Sequence, residues 1–187
     1  MDADMRDGFS FFGGHPALDL CATLRGRSKP TPQDLLAAPG DLNRWFRAAG
    51  VTSSAVAATQ DDLVAARKLR EAIYVIALAI IDGETPPPAA RATLNRIADS
   101  GSVRVKLSAD GLVQVSGSAA ELIAAVAQGA VRLLGGDAAD RIRQCEAEVC
   151  TRLFVDLSRR RDRRWCSMSS CGNRAKVAEF RRRARKG

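Results

Sequence analysis

Residues 145–176 read CEAEVCTRLFVDLSRRRDRRWCSMSSCGNRAK, and the rest of the chain is placed outward from this stretch. Two thiol pairs share one spacing, Cys145-x4-Cys150 and Cys166-x4-Cys171, with fifteen residues between them. A tetrahedral four-thiolate zinc site needs two short knuckles brought together by a loop or hairpin, and this pattern supplies them. Redox thiols, an iron-sulfur cluster and unligated cysteines are the other readings the spacing leaves open. Leu153, Phe154, Val155 and Leu157 predict one short strand between the pairs, and Trp165 is placed to shield a metal at Cys166. From Arg141 to Gly187 the chain has 47 residues, of which 20 are charged. Such a segment buries too little apolar area to fold alone, so a bound Zn2+ would supply the missing stability.

Cations flank the second pair. Arg159, Arg160, Arg161, Arg163 and Arg164 precede it, and Arg174, Lys176, Arg181, Arg182, Arg183, Arg185 and Lys186 follow it. Arginine offers a planar fork of donors to phosphate and to guanine edges, so this cluster predicts an anionic polymer as partner rather than a merely solvated tail. Asn173 is a candidate N-cap for a final helix in which Val177, Phe180 and Ala184 form an inner stripe while Arg174, Arg181 and Arg185 lie on another face. The charge is unevenly laid. The whole chain of 187 residues carries +8, but residues 1–140 hold 14 basic and 16 acidic groups, against 15 and 5 in the remainder. A near-neutral body therefore carries a basic module.

The body reads as mostly helical. A helix is expected to begin near Pro16, followed by a Pro-rich loop from Arg25 to Gly40 and a short helix over Asp41–Ala49 with Leu42, Trp45 and Phe46 on one face. Thr59 caps a predicted long helix reaching Ile81, with Leu63, Ala66, Leu69, Ile73, Ile76 and Ile80 along one stripe. Pro86 to Pro88 open another, whose Leu94 and Ile97 face inward. The period then changes to two at Val103, Val105, Leu107, Val113 and Val115 around Ala109-Asp110-Gly111, which predicts a β-hairpin packed on a helix. Ser118 and Glu121 fit a capping box for a helix through Leu133, stopped at Gly135-Gly136, and Asp140 to Cys145 predicts one more short helical turn. The fold class expected is α+β: a mainly α-helical body with one hairpin over residues 1–140, plus a small C-terminal four-cysteine module over 141–187.

Other chemistry is sparse. His15 is the single histidine, and it stands near Asp19; the pair is a candidate ligand-binding or acid-base site, although a histidine capping a turn is the plainer reading. With no nucleophile-base partnership and no phosphate loop, no enzyme is expected. Cys21 reads as a small buried apolar group. The longest apolar run, Ala72 to Ile81, is ten residues and too short to span a bilayer. The acidic opening MDADMRDG lacks the basic and apolar regions of a secretory signal, so a reducing cytoplasmic setting is expected.

Cys171-Gly172-Asn173-Arg174-Ala175-Lys176, preceded by Arg164-Trp165-Cys166-Ser167-Met168 and by the strand Leu153–Ser158, resembles the CGNR zinc-finger family. GGHPALDL at 13–20, DLNRWFRAAGV at 41–51, REAIYVIALA at 70–79 and LNRIA at 94–98 resemble the ABATE domain that accompanies it, in stress-induced transcription regulators. Ala22 departs from the asparagine of that pattern. The resemblance implies a bacterial regulator in which Cys145, Cys150, Cys166 and Cys171 hold zinc and the flanking arginines bind DNA. The body would then sense a small-molecule effector or form a homodimer. The competing expectation is an adaptor whose basic module meets a protein or RNA.

Overall fold

The structure, a computed structural model, describes residues 4–184. Helix α1 spans Pro16–Cys21, α2 Pro39–Ala48, α3 Gln60–Ile81, α4 Pro88–Ala98, α5 Ala119–Gly135 and α6 Asn173–Ala184. Four separate antiparallel strand pairs join them: Met5–Arg6 with Phe9–Ser10, Leu24–Arg25 with Gln33–Asp34, Arg104–Leu107 with Val113–Ser116, and Ile142–Gln144 with Leu153–Val155. The α+β reading therefore holds, with three more strand pairs than the single hairpin expected of the body or the lone strand expected between the cysteines. The two-residue pairs lack the length that makes alternation visible in a sequence.

Helix α3 is the axis of the body, packed against α1, α2, α4 and α5. Thr59 and Asp62 form a reciprocal capping box at its start, as Ser118 and Glu121 do for α5, which satisfies donors no helix can satisfy itself. Leu63, Leu69, Ile73, Leu122, Ala127 and Ala130 fill the centre with Leu18, Leu42, Trp45 and Phe46. One charge lies inside. Arg70 is only 4% exposed, and it donates to both Asp34 carboxylate oxygens at 2.7 and 2.9 Å and to Glu71 at 2.8 Å. Arg27 also pairs with Glu71. This network fastens the 24–34 strand pair to α3, and the four groups leave no buried charge alone.

Two expectations differ. The Arg104–Leu107 and Val113–Ser116 hairpin exists, but Val105, Leu107, Leu112 and Val113 point to solvent, Leu107 being 75% exposed. Only Val103 and Val115 reach the core. Period two reports a pleat, and here the apolar face finds no helix. Residues 139–141 make a short 3-10 turn as expected of a helical segment, yet Ile142–Gln144 continue as a strand, because Ile142, Leu153 and Val155 are drawn into the body core.

Helix α1 begins with the His15 ring capping Ala17 N–H, Nδ1 accepting at 3.2 Å. Asp19, on the inner side of α1, accepts from the Gly13 N–H at 2.8 Å. Burial pushes its pKa up to about 7, against the lowering effects of that Gly13 bond and of Arg6; Asp4 adds a small upward push. A raised carboxyl pKa means that the native state holds the proton more tightly than the unfolded chain. This contribution is full at low pH and is lost as pH rises through about 7. An Asp19→Asn protein keeps the acceptor for Gly13 without the charge. Its stability relative to wild type should be near equal at pH 4, rise between pH 5 and 7, and level off at about 1–3 kcal/mol in favour of Asn. Urea melts of both proteins across that range check it, and a pH-independent difference contradicts it.

Candidate metal centre and basic surface

The hairpin Ile142–Gln144 and Leu153–Val155 carries the first thiol pair. Its ladder extends one step, Cys145 N–H donating to Arg152 carbonyl at 2.9 Å, and Cys150 closes a tight turn on Ala147. Of the second pair, Cys171 sits on a π-helical turn, Met168–Gly172, capped by the Ser167 hydroxyl and running directly into α6, and Cys166 lies just before that cap. Gly172 is buried there, and a Cβ on it would stand 2.8 Å from the Met168 sulfur. A larger residue there would displace the half-exposed Met168 side chain.

These two supports bring the four Sγ atoms of Cys145, Cys150, Cys166 and Cys171 within 4.8 Å of one another. Cys150 and Cys166 are 3.9 Å apart and Cys166 and Cys171 3.6 Å. A tetrahedron of zinc–sulfur bonds of 2.3 Å has edges of about 3.8 Å, so the separations fit a metal at the centre. They are too long for any disulfide, and all five cysteines are free. The surroundings suit thiolates. Cys145 accepts from the Cys166 N–H at 3.4 Å, and Arg174 donates to the Cys171 sulfur at 3.2 Å. Hydrogen bonds from Cys150 and Cys166 hold the Cys145 pKa far below the usual thiol range, while the Cys150 thiol is pushed up to about 11 by its bond to Cys145. Phe12 and Phe154 pack against Cys145, Cys166 and Cys171, with Trp165 and Met5 at the edge. This apolar shell keeps water from the ligands.

The cluster is joined to the body through the backbone. Val155 N–H donates to Gly13 carbonyl at 2.9 Å, just before α1. Asp156 escaped notice in the sequence, where a lone aspartate in a basic run looks like a counter-charge. It is fully buried; one carboxylate oxygen accepts from Ser158 N–H and the other from Arg163 N–H, each at 2.9 Å. These bonds close the arginine loop into a ring, and Arg161 takes a positive φ of 53° to complete it.

The predicted cations divide. Arg163 is turned inward, stacked on Phe154 with its guanidinium carbon 4.4 Å from the ring centroid and donating to the Trp165 and Cys166 carbonyls. Arg161 pairs with Asp140, Arg164 with Glu146, and Arg182 and Arg183 with Glu179. Arg159, Arg160, Lys176 and Arg181 are exposed and have no acidic partner among the described residues. Arg185 and Lys186 lie outside the described residues. The expected inner stripe of α6 faces outward: Val177 and Phe180 are exposed, Phe180 at 74%. Asn173 lies within the helix rather than capping it, the cap having moved to Ser167 on the preceding turn. His15 and Asp19 are both engaged internally, and the His15 ring also lies against Gly129 of α5.

A helical body closed by a four-cysteine cluster able to bind a zinc ion defines a zinc-finger protein. Residues 14–137 match the family ABATE, described as "Putative stress-induced transcription regulator", and residues 141–184 match the CGNR zinc finger. The chain belongs to the ABATE family and carries a CGNR finger at its C-terminal end. Both are regulatory or zinc-finger families rather than enzymatic ones. A search of curated proteins gives no match. No helix among the described residues is long and apolar enough to cross a membrane.

The donor set predicts one zinc per chain. Cys166→Ser should lower the metal content from one to well below one and loosen the packing of Phe154 and Trp165, read by atomic absorption and Trp fluorescence on the same sample. Full metal content in that variant would contradict the ligand set.

Proposed function

We propose that the protein is a zinc-dependent, DNA-binding transcriptional regulator of the cytoplasm. Its residues 141–187 are the DNA-binding module, in which Cys145, Cys150, Cys166 and Cys171 hold the zinc. Its residues 1–140 receive a small-molecule effector or a second copy of the chain, and His15 and Asp19 belong to the body's candidate ligand site. The observation that carries this reading is the set of uncompensated cations Arg159, Arg160, Lys176 and Arg181, borne on the loop and helix that the cysteine cluster and Asp156 hold in shape. Cations fixed on a rigid support meet phosphates without first losing the entropy of a free tail. Arg174, Arg182, Arg161 and Arg164 stand beside them with partners that a duplex phosphate can replace, whereas Arg163 acts by bracing the loop.

A second reading is kept alive by Phe180 and Val177. Two apolar side chains exposed on a short basic helix suit a protein or RNA surface that covers them, as an adaptor would require.

Arg159→Ala with Arg160→Ala removes two cations from the loop without touching Asp156 or a cysteine. Duplex affinity should fall, and the slope of log affinity against log salt should flatten by about two. Fluorescence anisotropy of a labelled random duplex reads both quantities. An unchanged slope sinks the assignment of this loop to DNA, and an unchanged preference across duplex sequences in a selection experiment favours the adaptor.

A further inference from the structure

A cleft of about 230 Å³ lies where the body meets the first cysteine knuckle. Its walls come from the 21–29 segment on one side and from Val149–Arg152 and Arg174 on the other. Four cations line it, Arg25, Lys29, Arg152 and Arg174, and no carboxylate does. Elsewhere this body pairs its inward cations with acids, as Arg70 and Arg27 show. None of these four has a carboxylate partner among the described residues.

The arrangement is costly as it stands. The Arg25 Nε is buried without a hydrogen-bond acceptor, although one terminal nitrogen donates to Gly8 carbonyl at 2.6 Å. Burial, with the added repulsion of Arg152, holds the Arg25 pKa below the usual arginine value. Lys29 is folded back over Gly26 by a turn in which its N–H donates to the Gly26 carbonyl at 2.8 Å. Gly26 takes φ +64°, and the Lys29 methylenes lie against it, so the exposed Lys29 side chain stands at the rim of the cleft. Arg152 and Arg174 also face the cysteine sulfurs, which leaves Arg25 and Lys29 as the charges without a counter-charge at the recess, and positive charge so gathered describes a seat for an anion. The space is below the usual range for drug-sized ligands, which limits the occupant to a small one.

From this juxtaposition we infer that the cleft between residues 21–29 and the first cysteine knuckle binds a small phosphate-type oxyanion, held by Arg25, Lys29, Arg152 and Arg174. Arg174 and Arg152 also donate toward the cysteine sulfurs, Arg174 to Cys171 and Arg152 to Cys166 at 3.8 Å. An anion drawn to these arginines thus couples the body to the metal cluster and to the start of α6. As an effector site the cleft rests on the regulator reading; as an anion site it does not.

Calorimetric titration of the zinc-loaded full chain tests it, with inorganic phosphate and glycerol phosphate as probes at matched ionic strength. One saturable site per chain is expected, weakened by about tenfold or more in Lys29→Gln and in Arg25→Gln. Lys29 is exposed and makes no contact the fold needs, so its variant remains interpretable if Arg25→Gln folds poorly. The exposed hairpin variant Lys106→Gln should bind as wild type does. No saturable binding, or equal binding in wild type and both cleft variants, overturns the inference. In parallel, duplex binding by Lys29→Gln without phosphate should keep the wild-type salt slope. A flattened slope would assign the cleft to duplex phosphate instead and overturn the small-anion site, whereas a chain that binds no duplex but retains the phosphate isotherm would remove only the regulator reading.

Discussion

The architecture of the C-terminal quarter depends on bringing four sulfurs to one point. Two of them ride on a hairpin whose other residues, Ile142, Leu153 and Val155, are part of the body core; Cys171 rides on a π-helical turn and Cys166 on the residue before its Ser167 cap, and both are buried in the cluster with Phe12 and Phe154. Four mutually close thiols are a poor arrangement for neutral groups and a good one for a divalent cation with thiolate ligands. The cluster also does packing work, since Phe12 from the N-terminal segment and Phe154 from the hairpin meet across the cysteines. The Gly13–Val155 backbone bond adds a fixed join between α1's leading segment and the hairpin. Metal, aromatic shell and backbone join therefore support one another, and loosening any of them frees the basic elements that follow.

That dependence gives the charge distribution its meaning. A total of +8 spread over a flexible tail would be a solubility device. Here much of the positive charge near the cysteines is neutralised locally by Asp140, Glu146 and Glu179, or spent on bracing, as Arg163 is. What remains uncompensated falls into two groups: the outward Arg159, Arg160, Lys176 and Arg181, and Arg25 and Lys29 at the body-facing cleft. The first suits a polymer, the second a small anion. Both sets are held by elements that meet at the cysteine cluster, so a single metal site can order a macromolecular surface and a small-molecule seat together.

Much of this was legible in the sequence because the signals are local. Caps at Thr59 and Ser118, the helical stripes of α3 and α5, the start of α1 at Pro16 and the cysteine spacing each announce themselves within a few residues. What was not legible depends on distant partners. Alternation at Val105 and Leu107 told the pleat but not whether anything would cover it, and Phe180 at helical spacing told a stripe but not its exposure. Asp156 could not be picked out, because its task is to accept two backbone N–H groups that only the folded loop presents. Nor could the separation of Arg163 from its neighbours, since an arginine that stacks on Phe154 and one that faces solvent have the same letter and the same flanks. The Arg25 cleft joins residues more than 120 positions apart, a distance across which spacing carries no information.

The central claim is that the metal cluster holds the basic surface in its binding form. Its most direct test is duplex affinity measured on one preparation as zinc is withdrawn by a chelator and then returned. Affinity and its salt slope should fall in proportion to zinc occupancy and recover with it, while α3 and the body helices keep their circular dichroism. A metal-free chain that binds the same duplex with the same affinity and the same slope would contradict the account.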